Sequence, residues 1–219
     1  MVSKNDILLM FDLDGTLFRT KSTSVPAVQD TLSEMNLPYA EKEKIISLLG
    51  ETTEEFCEEL MDGNEERLDE FMKLFWKYEK KYIDEKGEFF EGSRDLIKEL
   101  YSSGYLLAIC SNGSKDYIDY VLKNGGLFDY FDVILSASSY TKKVIAYEEI
   151  LEQSKHRLAI IIGDKDHDFK AAEELGVVSI GVEYGYGYSH ELENADYLVK
   201  NAEEIYDVIE KVVKHEEGD

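Results

Sequence analysis

The chain has 219 residues, 43% of them hydrophobic, and a formal net charge of −23. That length accommodates one substantial α/β core and a smaller appended domain. So acidic a chain repels polynucleotides and anionic membrane surfaces, which leaves neither nucleic acid nor membrane as an expected partner.

The opening MVSKNDILLMFDLDG carries an apolar run over 7–11 that Asp12 interrupts. It is too short for a signal peptide or a membrane helix, and a cytoplasmic location is expected. The two cysteines, Cys57 and Cys110, lack metal-ligand spacing and are expected as buried reduced thiols. The next apolar run begins only at Tyr105, a gap too long for one crossover helix, so an all-helical domain is expected over residues 20–86. Ser24 and Pro26 predict a helix start, continued by Val28, Leu32 and Met35 to Leu37-Pro38. Further helices are expected near 41–49, 52–61 and 65–86. The last carries Phe71, Phe75, Trp76, Tyr82 and Ile83 at helical spacing, a stripe read as internal packing rather than a substrate wall.

Beyond the insert, the runs at 105–110, 132–135, 158–162 and 177–182 lack polar alternation and read as strands buried on both faces. Helical patterns at Ser93–Ser103, Lys115–Lys123, Val144–Gln153 and Asp168–Leu175 separate them. The expected fold is α/β, a doubly wound parallel sheet built from residues 1–19 and 87–219. The tail HEEGD is expected to fray.

Open α/β sheets bind ligands beyond the carboxyl ends of their strands. The first run ends in Asp12-Leu13-Asp14-Gly15-Thr16, the second in Ser111-Asn112-Gly113-Ser114, and the fourth in Gly163-Asp164-Lys165-Asp166-His167-Asp168. Asp12, Asp14, Asp164 and Asp168 on one rim concentrate negative charge, and a hard cation of the Mg²⁺ type would relieve it with these four acids as its candidate ligands. His167 reads as a surface or helix-start residue. The loop Tyr184–Gly187 on the same rim fits either a substrate contact or a glycine turn.

The FDLDGT, SNGS and IGDKDHD runs resemble the haloacid dehalogenase-like superfamily of phosphatases, and GDKDHDFKAAEELGVVSIGVEYGYG is similar to its phosphoglycolate phosphatase-like branch. The resemblance implies a Rossmann-like core, a mobile helical cap over 20–86, and Mg²⁺-dependent hydrolysis of a small phosphorylated metabolite through an aspartyl-phosphate. It makes Asp12 the nucleophile and Asp14 the general acid and base. It also makes Ser111 the hydroxyl that bonds the transferring phosphoryl group, with Asn112 and Gly113 amides beside it. A lysine at the start of the helix before the fourth strand completes the pattern; Lys142 and Lys143 are both candidates, and Tyr147 and Leu151 are taken to favour Lys142. A phosphomutase, a phosphoryl-accepting receiver domain and a dehalogenase are the alternatives. The long insertion and Asp14 count against the receiver, and a dehalogenase has no need of Asp14 or a cation. Substrate identity and oligomeric state carry no signal in the sequence.

Overall fold

The computed structural model describes residues 3–51, 53–61, 64–140 and 142–216. The apolar run Ile7–Phe11 forms strand β1 with all five side chains buried. A strand without polar alternation needs cover on both faces. Ile7, Leu9 and Phe11 join one apolar cluster, while Leu8 and Met10 join another.

Strands β2 (Leu106–Ser111), β3 (Val133–Ser136), β4 (Leu158–Gly163), β5 (Val178–Val182) and β6 (Tyr197–Val199) complete a parallel sheet in the order β3-β2-β1-β4-β5-β6. Helices α5 (Ser93–Ser102), α6 (Lys115–Gly125) and α10 (Ala202–Glu216) cover the first cluster; α7 (Lys143–Gln153) and α8 (Asp166–Leu175) cover the second. A short α9 (Ser189–Leu192) lies between β5 and β6. This is a doubly wound α/β sheet, as the sequence predicts, with β6 and α10 as additions. Helix α10 continues through Glu216 into the HEEGD tail, where His215 and Glu216 are exposed; residues 217–219 lie outside the described residues.

Between β1 and α5 the chain passes through α1 (Lys21–Glu34), α2 (Lys42–Ser47), α3 (Thr53–Met61) and α4 (Leu68–Lys86). These helices share their own apolar cluster, which includes Val28, Leu32, Ile45, Leu49, Cys57 and Phe71. Helix α1 starts at Lys21, ahead of Ser24, so Pro26 sits inside it. It also stops before Pro38: Asn36 turns left-handed at φ 54, and the Leu37 N–H reaches the Leu32 carbonyl at 2.9 Å.

The two connections to this insert run side by side. Arg19 N–H donates to the Glu88 carbonyl at 2.8 Å, and Phe90 N–H donates to the Leu17 carbonyl at 2.9 Å. Both Cys57 and Cys110 are buried. No helix among the described residues is long and apolar enough to cross a membrane.

Candidate active site

Sheet register brings the strand-end residues together. Phe11 pairs with Ile109 on β2 and with Ile162 on β4, so the residues that follow these positions emerge side by side. The Asp12 N–H extends the ladder by one bond, to the Ile162 carbonyl at 2.8 Å. This is the point where the strand order reverses, the usual ligand crevice of such sheets.

Asp12, Asp164 and Asp168 are all buried, and each places one carboxylate oxygen within 4.8 Å of the others. Asp164 Oδ2 accepts the Tyr186 N–H at 2.6 Å, whereas its Oδ1 is buried with no hydrogen-bond partner among the described residues. Buried polar atoms are rarely left so. An orphaned hard oxygen in a group of three carboxylates fits a divalent cation. Two glycines let the loops close on Asp164: a Cβ on Gly15, at φ +88, would lie 2.2 Å from Asp164 Oδ2, and one on Gly187 would lie 1.8 Å from the Asp164 carbonyl oxygen.

The lysine of the site is Lys143, which corrects the Lys142 assignment. Its Nζ lies 2.5 Å from Asp12 Oδ1 and 2.7 Å from Asp168 Oδ1, and the Tyr147 hydroxyl donates to Asp168 Oδ1 at 2.8 Å. The inner face of α7 is Lys143, Ala146, Tyr147 and Ile150; Lys143 stands one turn before Tyr147, whereas Lys142 is roughly a quarter turn off that face. Lys142 is the extended residue preceding the helix, exposed on the wall of a cavity of about 340 Å³ that Lys143 also lines.

Burial alone would strip Lys143 of its proton, but Asp12 and Asp168 more than reverse this and hold it charged. Burial likewise pushes Asp168 up, and Lys143, His167 and Tyr147 offset it, leaving Asp168 below the ordinary carboxylate range. Asp12 stays raised, because burial and the charges of Asp168, Asp164 and Asp14 outweigh Lys143. Asp164 is pushed up to about 7, chiefly by burial and then by Asp168, against the Tyr186 N–H.

Asp14 faces another way. Its carboxylate accepts hydrogen bonds from Thr20, from Tyr117 at 2.5 Å and from Ser111 at 3.2 Å, and it is not part of the three-acid group found among the described residues. Of the four acids expected as metal ligands, the structure brings the side chains of Asp12, Asp164 and Asp168 together and turns that of Asp14 toward these hydroxyls. Burial raises the Asp14 carboxyl despite those three donors. Ser111 Oγ also accepts the Gly113 N–H at 3.1 Å, while Ser114 caps α6 by accepting the Tyr117 N–H. The Asn112 side chain donates to the Gly50 carbonyl of the insert at 2.8 Å. Thr20 and Tyr117 were not signalled by any strand-end motif. The loop after β5 does touch the insert: Tyr186 accepts the Lys21 N–H at 3.1 Å.

Asp14, Thr20, Asn112 and Tyr117 line the core side of a cavity of about 390 Å³, and the insert closes its other side. Lys165 Nζ, buried in the core rim, bonds Glu51 of the insert at 2.8 Å next to this opening.

Parallel strands deliver an acid cluster, a buried lysine and a cavity to one rim, the layout of an α/β enzyme. The chain belongs to the haloacid dehalogenase-like hydrolase family, whose model matches residues 9–182. A phosphoglycolate phosphatase from Vibrio parahaemolyticus is 22% identical, covering 95% of this chain and 98% of its own length. The pyrophosphatase PpaX of Halalkalibacterium halodurans is 27% identical, with coverage of 92% and 95%. Among solved structures, a haloacid dehalogenase-like hydrolase from Streptococcus pneumoniae superposes with a TM-score of 0.82 at 25% identity, covering 94% of this chain and 99% of that one.

Proposed function

We propose that this hydrolase is a Mg²⁺-dependent phosphatase that cleaves a small phosphomonoester through an aspartyl-phosphate on Asp12. The observation that carries the reading is the position of Asp12: at the sheet switch point, on Lys143 at 2.5 Å, within the group formed with Asp164 and Asp168. Asp12, Asp164 and Asp168 would hold Mg²⁺, which when bound neutralises phosphoryl charge and keeps Asp12 ionised.

The remaining roles belong to the chain. Asp12 attacks phosphorus as a carboxylate nucleophile, and Lys143 steadies its charge and that of the phosphoryl oxygens. Asp14 is held by Thr20, Tyr117 and Ser111 at the mouth of the cavity, and burial keeps its proton available. It donates that proton to the departing alkoxide and afterwards takes one from water. Ser111 orients Asp14 and lies within reach of the phosphoryl group.

Residues 20–86 act as a cap on this reading. Its support is the paired connections at Arg19 and Glu88 and the contacts of Glu51 and Gly50 with the rim. Closure excludes bulk water from the phosphoryl centre.

Quenched-flow labelling with a ³²P-phosphomonoester tests the assignment. Wild type in Mg²⁺ should carry label on Asp12, Asp12→Asn should carry none, and Asp14→Asn should still be labelled while turnover falls about 10²–10⁴-fold. Label on another residue, or undiminished phosphate release after exhaustive chelation, contradicts the reading.

A further inference from the structure

The cavity beside Asp14, at about 390 Å³, is within the size range of pockets that enclose whole organic ligands, about 300–1,000 Å³. Its outer wall is apolar: Leu48, Leu49, Phe56, Met72, Phe75 and Trp76, all from the insert. Into that wall helix α4 sets Glu79, one turn beyond Phe75, only 5% exposed. Among the described residues its one hydrogen-bond partner is the Ser24 hydroxyl, which donates to Oε1.

A buried carboxyl with a single hydroxyl donor is a costly way to complete an apolar wall, because an aliphatic side chain would fill the same place without a desolvation cost. Its remaining acceptor capacity is available to the cavity. Acids predominate around that cavity. Asp14, Glu51, Glu79 and Asp116 line it, and Lys73 is the one lining cation among the described residues, on the exposed side of α4. A leaving group bearing a second anion, as glycolate or a second phosphate does, would make Asp14 and Glu79 harder to ionise and would find no buried cation on the lining among the described residues.

We propose that Glu79 is the specificity determinant of this cavity, and that the natural substrate is a phosphomonoester of an apolar-bodied alcohol whose far end presents a hydroxyl or an ammonium to the Glu79 carboxyl. This deepens the phosphatase reading and rests on it. The phosphate sits at Asp12, the ester oxygen beside Asp14, and the body of the alcohol lies along Phe75 and Trp76. Its donor end then meets Glu79, which burial holds up to about 8 with Asp14 adding to the rise. A donor brought to Glu79 draws that value down and is bound in return, whereas an anion drives it higher and is rejected.

An isosteric series tests the assignment: benzyl phosphates carrying hydrogen, hydroxymethyl, aminomethyl or carboxylate at the para position, with phosphate release followed in Mg²⁺. The hydroxymethyl or the aminomethyl ester should exceed the carboxylate ester in kcat/KM by about tenfold or more. Whichever of the two leads identifies the donor. In Glu79→Gln, checked for folding by its melting curve, the aminomethyl-to-carboxylate ratio should fall about tenfold, while the hydroxymethyl ester keeps its lead over benzyl phosphate. Should the Gln variant not fold, Glu79→Asp should lower both donor esters relative to benzyl phosphate. A carboxylate ester that matches or exceeds the donors in wild type overturns the proposal, as does a ratio that the variants do not move. Phosphate release in the wrong rank order removes the Glu79 assignment alone; no release from any ester, with no label on Asp12, removes the phosphatase reading and this inference with it.

Discussion

The rim of the sheet and the wall of the helical insert face each other across one cavity and are built on opposite principles. On the rim every charged group is bound to its neighbours: Lys143 bridges Asp12 and Asp168, Tyr147 adds a bond to Asp168, and three hydroxyls hold Asp14. Such a network fixes side chains to within the tolerance that chemistry requires, because each member has several constraints. The insert wall has apolar side chains, set by packing, and two acids: Glu51, which reaches out to Lys165 of the rim, and the buried Glu79, whose hydrogen-bond partner among the described residues is Ser24. Apolar walls tolerate volume-conserving exchange, so this is the half of the cavity that can change substrate without disturbing the reaction.

The sharpest way to break the comparison is to unbalance the rim. Lys143 is 3% exposed at its side chain and is the cation set against Asp12 and Asp168. Lys143→Met should therefore lower kcat by roughly 10²–10³-fold, and the two acids left facing each other should cost about 3–5 kcal/mol of stability. Lys142→Met, at an exposed position, should change both by little. Chemical denaturation and steady-state kinetics on the pair decide it. Loss of activity in the Lys142 variant alone would return the active-site role to that residue.

The rim was legible in the sequence because strand-end motifs keep their neighbours: DLDGT and GDKDHD place acids within a few residues of a strand that the apolar run already marks. The Lys142 expectation misjudges helix phase: Tyr147 and Leu151, the two apolar residues it rests on, stand four and eight places after Lys143 and so are in phase with Lys143. Leu151, one of them, is only partly buried, while Ala146 and Ile150 mark the true inner face. Thr20 and Tyr117 reach Asp14 from the beginnings of two helices, six residues away in one case and 103 in the other, and no strand-end motif announces either. Strand β6 has three residues, too few for periodicity to register. Helix α10 did carry a signal, Ile205, Ile209, Val212 and Val213 at helical spacing. Glu79 carried one as well, since it stands at i+4 from Phe75 on the apolar stripe of α4. An acid on that stripe separates a substrate wall from simple packing, and the packing reading of the stripe gives no account of it.

A smaller effect sharpens the contrast from the insert side. Glu79 is raised from the ordinary 4.5 to about 8 by burial, the Ser24 bond opposing and Asp14 adding. Between those values the unfolded chain has released this proton and the folded chain still holds it. The folded state then binds more protons, so stability falls as pH rises through the interval and levels off above about 8. Over that range the loss attributable to this one group should be on the order of a few kcal/mol. Glu79→Gln cannot titrate and should gain on wild type steadily between about pH 5 and 8 in denaturant midpoint. Parallel stability curves for the two proteins would show that Glu79 ionises freely in the folded state.

The smallest expected effect concerns whether the two halves part at all. Trp76, the chain's one tryptophan, sits on α4 of the insert with its ring 6.4 Å from Tyr117 and 5.7 Å from Tyr120, both on α6 of the core. A cap that swings away must withdraw this ring from its aromatic neighbours into water and must break the Lys165–Glu51 pair. Glu51 is 36% exposed at its side chain, so removing its charge costs the closed form only about 0–1 kcal/mol. At the upper end of that range the open population rises about fivefold. Acrylamide quenching of Trp76 follows that population, since the indole is half-buried against the core and gains exposure when the halves separate. Glu51→Gln should quench faster than wild type, and adding Mg²⁺ with a phosphate analogue should slow both by drawing the insert onto the rim. Equal quenching in the two proteins, unmoved by the analogue, would make the insert a fixed wall. Substrate would then have to enter through an opening that is already present, and the apolar side chains would act as a static filter.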